Sequence, residues 1–305
     1  MKFTEIKNEF LNESIFKGVH KSGLNVVVLP KKGFSKYYAI LSTCYGSNDV
    51  CFKDDNHKDF LEIPDGIAHF LEHKMFEQPD GTNAFDKFSM YGANANAFTS
   101  FNNTAYLFQA TDYFYESLEH LLDYVFSPYF TDENVEKEQG IIGQEIRMYD
   151  DDADWRVMFN MLKAMYVTHP IRRDIAGTVE SISKIDKDLL YYCYNIFYHP
   201  ENMVLFVTGD IDIEKLPEIL DKNVPVKEER FSAVLKEYSE PEEVNKKEII
   251  DSLEVSMPIF SMGYKDNDKI ILGKELARKN LLTSIVVKMF IGDSSPLYKK
   301  MYEDR

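Results

Sequence analysis

Gly66-Ile67-Ala68-His69-Phe70-Leu71-Glu72-His73-Lys74-Met75-Phe76 is the stretch around which the rest of the chain can be read. Its two histidines stand four residues apart with a glutamate at the third step, and at about 100° per residue all three share one helical face. Ile67, Phe70 and Leu71 can enter a core while that polar face looks into a cleft. Two neutral imidazoles one turn apart suit a divalent transition metal, and zinc is the usual occupant of such pairs. The glutamate beside them is placed to act on water at such an ion. The order His-x-x-Glu-His reverses the commoner His-Glu-x-x-His, and the pattern needs a third ligand from elsewhere in the chain.

The 305-residue chain is long enough for two domains of ordinary size, and 44% apolar with 14% aromatic residues marks it as globular. A net charge of −16, from 51 acidic against 35 basic residues, argues against general binding to nucleic acid or to an anionic membrane. Cys44, Cys51 and Cys193 form neither a disulfide framework nor a Cys-x-x-Cys site, which fits a reducing compartment. The first ten residues carry no apolar signal-peptide core, and no apolar run approaches the ~18 residues of a spanning helix. The expectation is a soluble cytoplasmic protein.

Upstream of the motif, Leu24–Pro30 and Tyr37–Tyr45 read as buried strands, and the Asp-rich stretch from Asn48 to Asp59 as an exposed loop. Pro64-Asp65-Gly66 then closes that loop and opens the motif helix. Downstream, a short helix over Ala84–Met90 precedes Gly92–Ser100, whose small side chains suit either a strand edge that accepts an extended peptide or an ordinary hairpin. A strand from Thr104 to Gln109 follows, then a helix from Tyr113 to Phe126, on which His120 reads as a solvated or core histidine.

Thr131-Asp132 offers an N-cap for a long helix through Met148. On it Glu138 and Glu145 are seven apart, two turns along one stripe, and either is a candidate for the missing ligand. Trp155–Tyr166, a start near Ser181, Lys187–Phe197 and Ile213–Leu220 read as helices, and Met203–Asp210 as a strand running into a loop. His169 and His199 each precede a proline, a context of turns. The charged stretch from Asn223 to Asn245 reads as an interdomain linker. Beyond it, Lys247–Val255 and Ile259–Tyr264 look like strands and Leu276–Phe290 like a helix. The division expected is therefore 1–222, a linker over 223–245, and 246–305 as the start of an incomplete second domain.

Taken together these segments resemble the pitrilysin family of zinc metallopeptidases, also called M16, and in particular its bacterial processing-peptidase-like members. The resemblance is carried by His69-Phe70-Leu71-Glu72-His73, Ala95-Asn96-Ala97-Phe98-Thr99, and Val135-Glu136-Lys137-Glu138 leading to Gln144-Glu145-Ile146. It continues through His199–Met203 and Val207–Asp210, then Gly263-Tyr264 and Ser294–Tyr298, which look like the start of the family's second, non-catalytic domain.

The resemblance implies an α+β fold of repeated α/β domains, each a mostly antiparallel sheet packed with helices. It implies Zn²⁺ held by His69, His73 and Glu145, with Glu72 as general base and Glu138 as a supporting residue behind the ligands. Asn96, Ala97 and Phe98 would lie on the edge strand that pairs with the substrate's backbone. The implied activity is zinc-dependent hydrolysis of extended peptides in a chamber completed by a second M16-type subunit, a second copy or a different chain. The alternative is a non-catalytic subunit that binds or organises peptides.

Overall fold

A computed structural model describes residues 1–266 and 271–304 of the chain. Backbone contacts group them into two compact units, Met1–Gly263 and Tyr264–Arg305, with Arg305 itself outside the described residues. The first unit begins with strands β1 (Thr4–Asn8), β2 (Glu13–Val19), β3 (Asn25–Pro30), β4 (Tyr37–Thr43), β5 (Cys51–Lys53) and β6 (Leu61–Glu62). Helices α1 (Ile67–Lys74) and α2 (Ala84–Met90) precede strands β7 (Asn94–Thr99) and β8 (Thr104–Ala110). Helices α3 (Phe114–Phe126), α4 (Asp132–Asp150), α5 (Ala153–Met165), α6 (Val179–Ile182) and α7 (Lys187–Phe197) then lead to β9 (Met203–Gly209), α8 (Leu216–Asn223) and β10 (Val234–Leu235).

Seven strands form one sheet in the order β1-β2-β3-β9-β4-β8-β7. Among the described residues its only parallel pairing is β3 with β9, in register Val26↔Leu205 and Val28↔Val207. Parallel neighbours need a long crossover. Here the connection carries α1 through α7, so every element of the candidate site is inserted between two adjacent central strands. Alternate residues of the inner strands, Val26 and Val28, Ala39 and Leu41, Tyr106 and Phe108, Leu205 and Val207, are fully or almost fully buried. Helices α1, α2 and α3 pack on this sheet, α1 and α2 against β7 and α3 against β4 and β8. The result is the mixed α/β architecture, mostly antiparallel, that the sequence led us to expect.

Two loops set where α1 begins. Gly66 caps it at φ +92°, and a Cβ there would stand 2.4 Å from the Ala176 carbonyl oxygen. Gly177, at φ +76°, meets Asp65 O in the same way at 2.5 Å. Only glycine combines that backbone conformation with such an approach. The contact is tied by Arg173 to the Asp65 carboxylate at 2.8 Å and by the Ser181 hydroxyl donating to Asp65 O at 2.8 Å. At the head of α4, Thr131 and Asn134 exchange side-chain hydrogen bonds with each other's backbone N–H, as the Thr131 signal predicts.

Several elements differ from expectation. The Asp-rich stretch contains β5, whose Cys51 and Phe52 are buried and pair with β6 and β10 in a three-stranded sheet. The residues expected as a linker run along the first unit: Glu240 accepts the backbone N–H groups of Val167, Thr168 and His169 at 2.7–2.8 Å. Lys247–Val255 and Ile259–Tyr264 form no strands, because no described strand lies beside them to complete a ladder. In keeping with the core reading, His120 donates from Nε2 to the Ala84 carbonyl at 2.8 Å. His169 and His199 each cap a short 3₁₀ turn.

In the second unit, α9 (Gly273–Ile291) is followed by α10 (Pro296–Glu303), whose N-terminus is capped by buried Ser295. Residues 267–270, within the segment expected as the second domain, lie outside the described residues. No described helix is long and apolar enough to cross a membrane.

Replacing Gly66 by Ala is expected to destabilise the chain by on the order of 3 kcal/mol in urea unfolding, since strained φ and a backbone clash coincide. An unchanged midpoint would contradict the contact. A second expectation concerns Asp49, whose carboxyl burial lifts to about 7, opposed by the Gly46 N–H. The folded state therefore holds its proton more tightly than the unfolded one, and stability falls as pH rises from about 4 through 7. Asp49→Asn is expected to flatten that decline and to gain up to roughly 4 kcal/mol at pH 8. Parallel pH–stability curves for the two proteins would refute it.

Candidate active site

α1 buries Ile67, Ala68, Phe70 and Leu71 and turns His69 and His73 toward α4. The two rings lie 4.5 Å apart by centroid. From α4, the Glu145 carboxylate reaches both of them, with Oε1 3.8 Å from His69 Nε2 and Oε2 3.4 Å from His73 Nε2. One donor atom from each of the three lies within 4.8 Å of the others. Two turns earlier, Glu138 Oε1 stands 3.0 Å from His73 Nδ1. A carboxylate only accepts, so Nδ1 carries the proton and the lone pair of Nε2 faces Glu145. Two imidazole nitrogens and one carboxylate thus converge, a donor set that fits zinc or a similar divalent ion and leaves a coordination position open.

The charge state of His69 agrees with that use. Burial, helped by the neighbouring His73, pushes the His69 imidazole down to about 3, so it is neutral. Burial also acts to lower His73, but the hydrogen bond and charge of Glu138, with Glu145 and Glu72 behind it, raise it overall. For Glu138 burial acts upward and is outweighed by His73 and Lys74, which hold the carboxyl below its usual range.

Glu72 sits one residue before His73 and is buried. Its Oε2 accepts the Thr99 hydroxyl at 2.6 Å. Burial raises its pKa, the Thr99 bond and His73 pull it down, and Glu145 adds to the rise. Glu72 and the three donors line a cavity of about 250 Å³, closed by Phe98, Thr99, Tyr149 and Trp155. A second cavity of about 550 Å³ shares Glu72, His73 and Ala97 and continues past Asn96, Phe76 and Phe85.

β7 forms the wall common to both cavities. Among the described residues it is the last strand of the sheet and pairs only with β8. The exposed Ala97 N–H turns to its own neighbour, the Asn96 side-chain oxygen at 2.9 Å, rather than to a strand. Asn96, Ala97 and Phe98 therefore stand on an open edge beside the convergent donors.

All eight residues singled out in the sequence come together here. Others were missed. Thr99 holds Glu72 and gives no sequence signal beyond a place in β7. Tyr149 stands one turn after Glu145 on the same face of α4, and its own pKa is pushed up to about 12 by burial and by Glu145. Its ring stacks on Trp155 at 4.4 Å, and Trp155 donates to Asp174 at 2.6 Å. The i+4 spacing from Glu145 was the available clue.

Comparison with known proteins gives the family to which a chain of this fold belongs. The family model for insulinase, peptidase family M16, matches residues 62–179, and the model for the M16 inactive domain matches 184–305. The chain is 48% identical over 300 residues to the uncharacterized zinc protease YmfH of Bacillus subtilis, covering 98% of this chain and 70% of that protein. With the zinc protease YmxG of the same organism it shares 27% identity, covering 79% of this chain and 58% of the relative. The crystal structure of an M16-like peptidase from Alicyclobacillus acidocaldarius superposes with a TM-score of 0.81 at 34% identity, over all of this chain and 69% of that one. This chain belongs to peptidase family M16.

Glu145→Gln is expected to weaken retention of a divalent ion by more than the ~100-fold that loss of a partner outside the ligand set can cost. Competition with a chromophoric chelator measures it. Undiminished affinity would move the third donor elsewhere.

Proposed function

We propose that this chain is a zinc-dependent endopeptidase that hydrolyses extended peptides, with His69, His73 and Glu145 holding the metal and Glu72 as general base. The observation that carries the reading is the single 250 Å³ cavity in which three metal donors, a buried carboxylate and an open strand edge meet. The names of the relatives, zinc proteases, support it at the level of the family.

The chemistry a zinc ion supplies when bound at these donors is Lewis-acid activation of water and of the scissile carbonyl. Glu138 fixes the His73 tautomer so that Nε2 remains a lone-pair donor. Thr99 occupies one oxygen of Glu72 and leaves the other, Oε1, to take the proton of the attacking water. The same oxygen then delivers that proton to the leaving amine nitrogen. No acyl-enzyme is needed. The open side of β7 receives the substrate as an added strand, with Asn96, Ala97 and Phe98 aligning its backbone and the two cavities taking side chains on either side of the cleaved bond. Tyr149 and Trp155 close one wall and limit bulk water.

In this reading residues 1–222 are the catalytic domain, and 223–245 lead to a second, non-catalytic domain beginning at 246. The inactive-domain model, which matches 184–305, supports a non-catalytic domain toward the end of the chain and not this particular boundary. We further propose that a second M16-type half, in a separate subunit, encloses the peptide, and that the protein works in the cytoplasm, in keeping with its three free cysteines.

Glu72→Gln in the zinc-loaded protein is expected to keep its metal and lose about 10²–10⁴-fold in cleavage of a quenched fluorescent peptide. Unchanged turnover would dismiss Glu72 as the base. Peptide binding without cleavage by the zinc-loaded native protein, with and without a second subunit, would favour the non-catalytic alternative.

A further inference from the structure

We infer that Lys74 is a positioning residue for the metal site: its buried ammonium anchors the Glu138 carboxylate and, through it, the His73 imidazole. The inference rests on the proposed reading of His69, His73 and Glu145 as metal donors.

Position 74 lies on the buried side of α1, following Ile67, Phe70 and Leu71 at seven, four and three residues earlier. An apolar residue is the default on such a face. Instead a lysine stands there with its side chain 0% exposed. Lysine is almost never fully buried unless its charge is matched. Two carboxylates match it here. Glu77, at i+3, forms a direct ion pair with Nζ, and Glu138 Oε2 lies 3.6 Å away.

The division of labour within Glu138 gives this charge its meaning. Oε1 accepts from His73 Nδ1 at 3.0 Å while Oε2 faces Lys74, so the carboxylate bridges the imidazole and the ammonium. A carboxylate held at one oxygen can swing about its terminal torsion, which is broad and soft. Held at both, it keeps one plane and one distance to His73. Lys74 also places a positive charge between Glu138 and Glu77, which line the same cavity as Glu72. Glu77 balances Lys74 on its own helix end, and leaves the longer contact to Glu138 as the part that reaches the metal site.

A double-mutant cycle on the full chain separates this role from a merely structural one. Zinc affinity is measured by chelator competition for the native protein, Lys74→Met, Glu138→Gln and the double variant, with melting of each metal-free protein as a check on folding. Lys74→Met is expected to weaken zinc binding by about tenfold, the lower end of what partners outside the ligand set typically cost. In the Glu138→Gln background the same change is expected to cost less than about twofold, because Lys74 acts through Glu138. An equal cost in both backgrounds, or none in either, overturns the inference. Should Lys74→Met fail to fold, Lys74→Met with Glu77→Gln removes the ion pair as a unit and takes its place in the cycle, with the same two readings. Failure of the native protein to take up zinc would instead refute the metal-site reading itself.

Discussion

The packing of α4 against α1 is the constraint on which the site depends. It sets two carboxylates, Glu138 and Glu145, against two imidazoles one helical turn apart. Buried carboxylates are costly unless each is paired. In this arrangement Glu138 is, through His73 Nδ1 and Lys74, while the half-buried Glu145 faces the two Nε2 atoms. The seven-residue interval along α4 puts the two glutamates on one stripe, so a single helix supplies a donor at the site and the group that orients a donor on the neighbouring helix. Everything else in the unit holds these two helices in place.

The scaffold does this by topology. β3 and β9 are adjacent and parallel, and the long connection between them supplies β4, β7 and β8 to the same sheet and packs α1 against both β7 and α4. The mutual glycine contact between Asp65-Gly66 and Ala176-Gly177 pins the start of α1 to the loop that follows α5. A similar economy applies to β7. Being last in the sheet it keeps one edge unpaired, and being packed by α1 it carries Thr99 to Glu72. One strand thus both holds Glu72 and keeps an open edge beside the convergent donors.

Much of this was legible in the residues. The interval of four between His69 and His73 announces a helix face, and Thr131 announces the start of α4 because a capping side chain satisfies backbone groups that nothing else can. Choosing between Glu138 and Glu145 was beyond spacing, since both lie on one stripe and only the offset of α4 on α1 decides which meets Nε2 and which meets Nδ1. The family resemblance implied Glu145, and in the structure Glu145 is the one beside both Nε2 atoms. Strand β1 gave no signal because all five of its residues are exposed, so no alternation betrays it. β5 was hidden by the acidic residues around it, although Cys51 and Phe52 are buried in a small sheet completed by residues more than 180 positions away. The alternation in Lys247–Val255 misled in the opposite direction: a strand is a property of a pair, and the described residues provide no second member.

Lys74 shows how a departure from pattern can inform. A hydrophobic-periodicity reading passes over it, since a lysine at the end of a helix is ordinary in composition and favourable to the helix dipole. Its complete burial between two carboxylates is not ordinary, and it ties the electrostatics of the site to a residue outside the His-x-x-Glu-His pattern. The most direct test of the central claim is anomalous diffraction at the zinc absorption edge from crystals of the zinc-loaded chain. One peak is expected, enclosed by His69 Nε2, His73 Nε2 and the Glu145 carboxylate; a peak elsewhere, or none at these side chains, would contradict the assignment of this constellation as a metal centre.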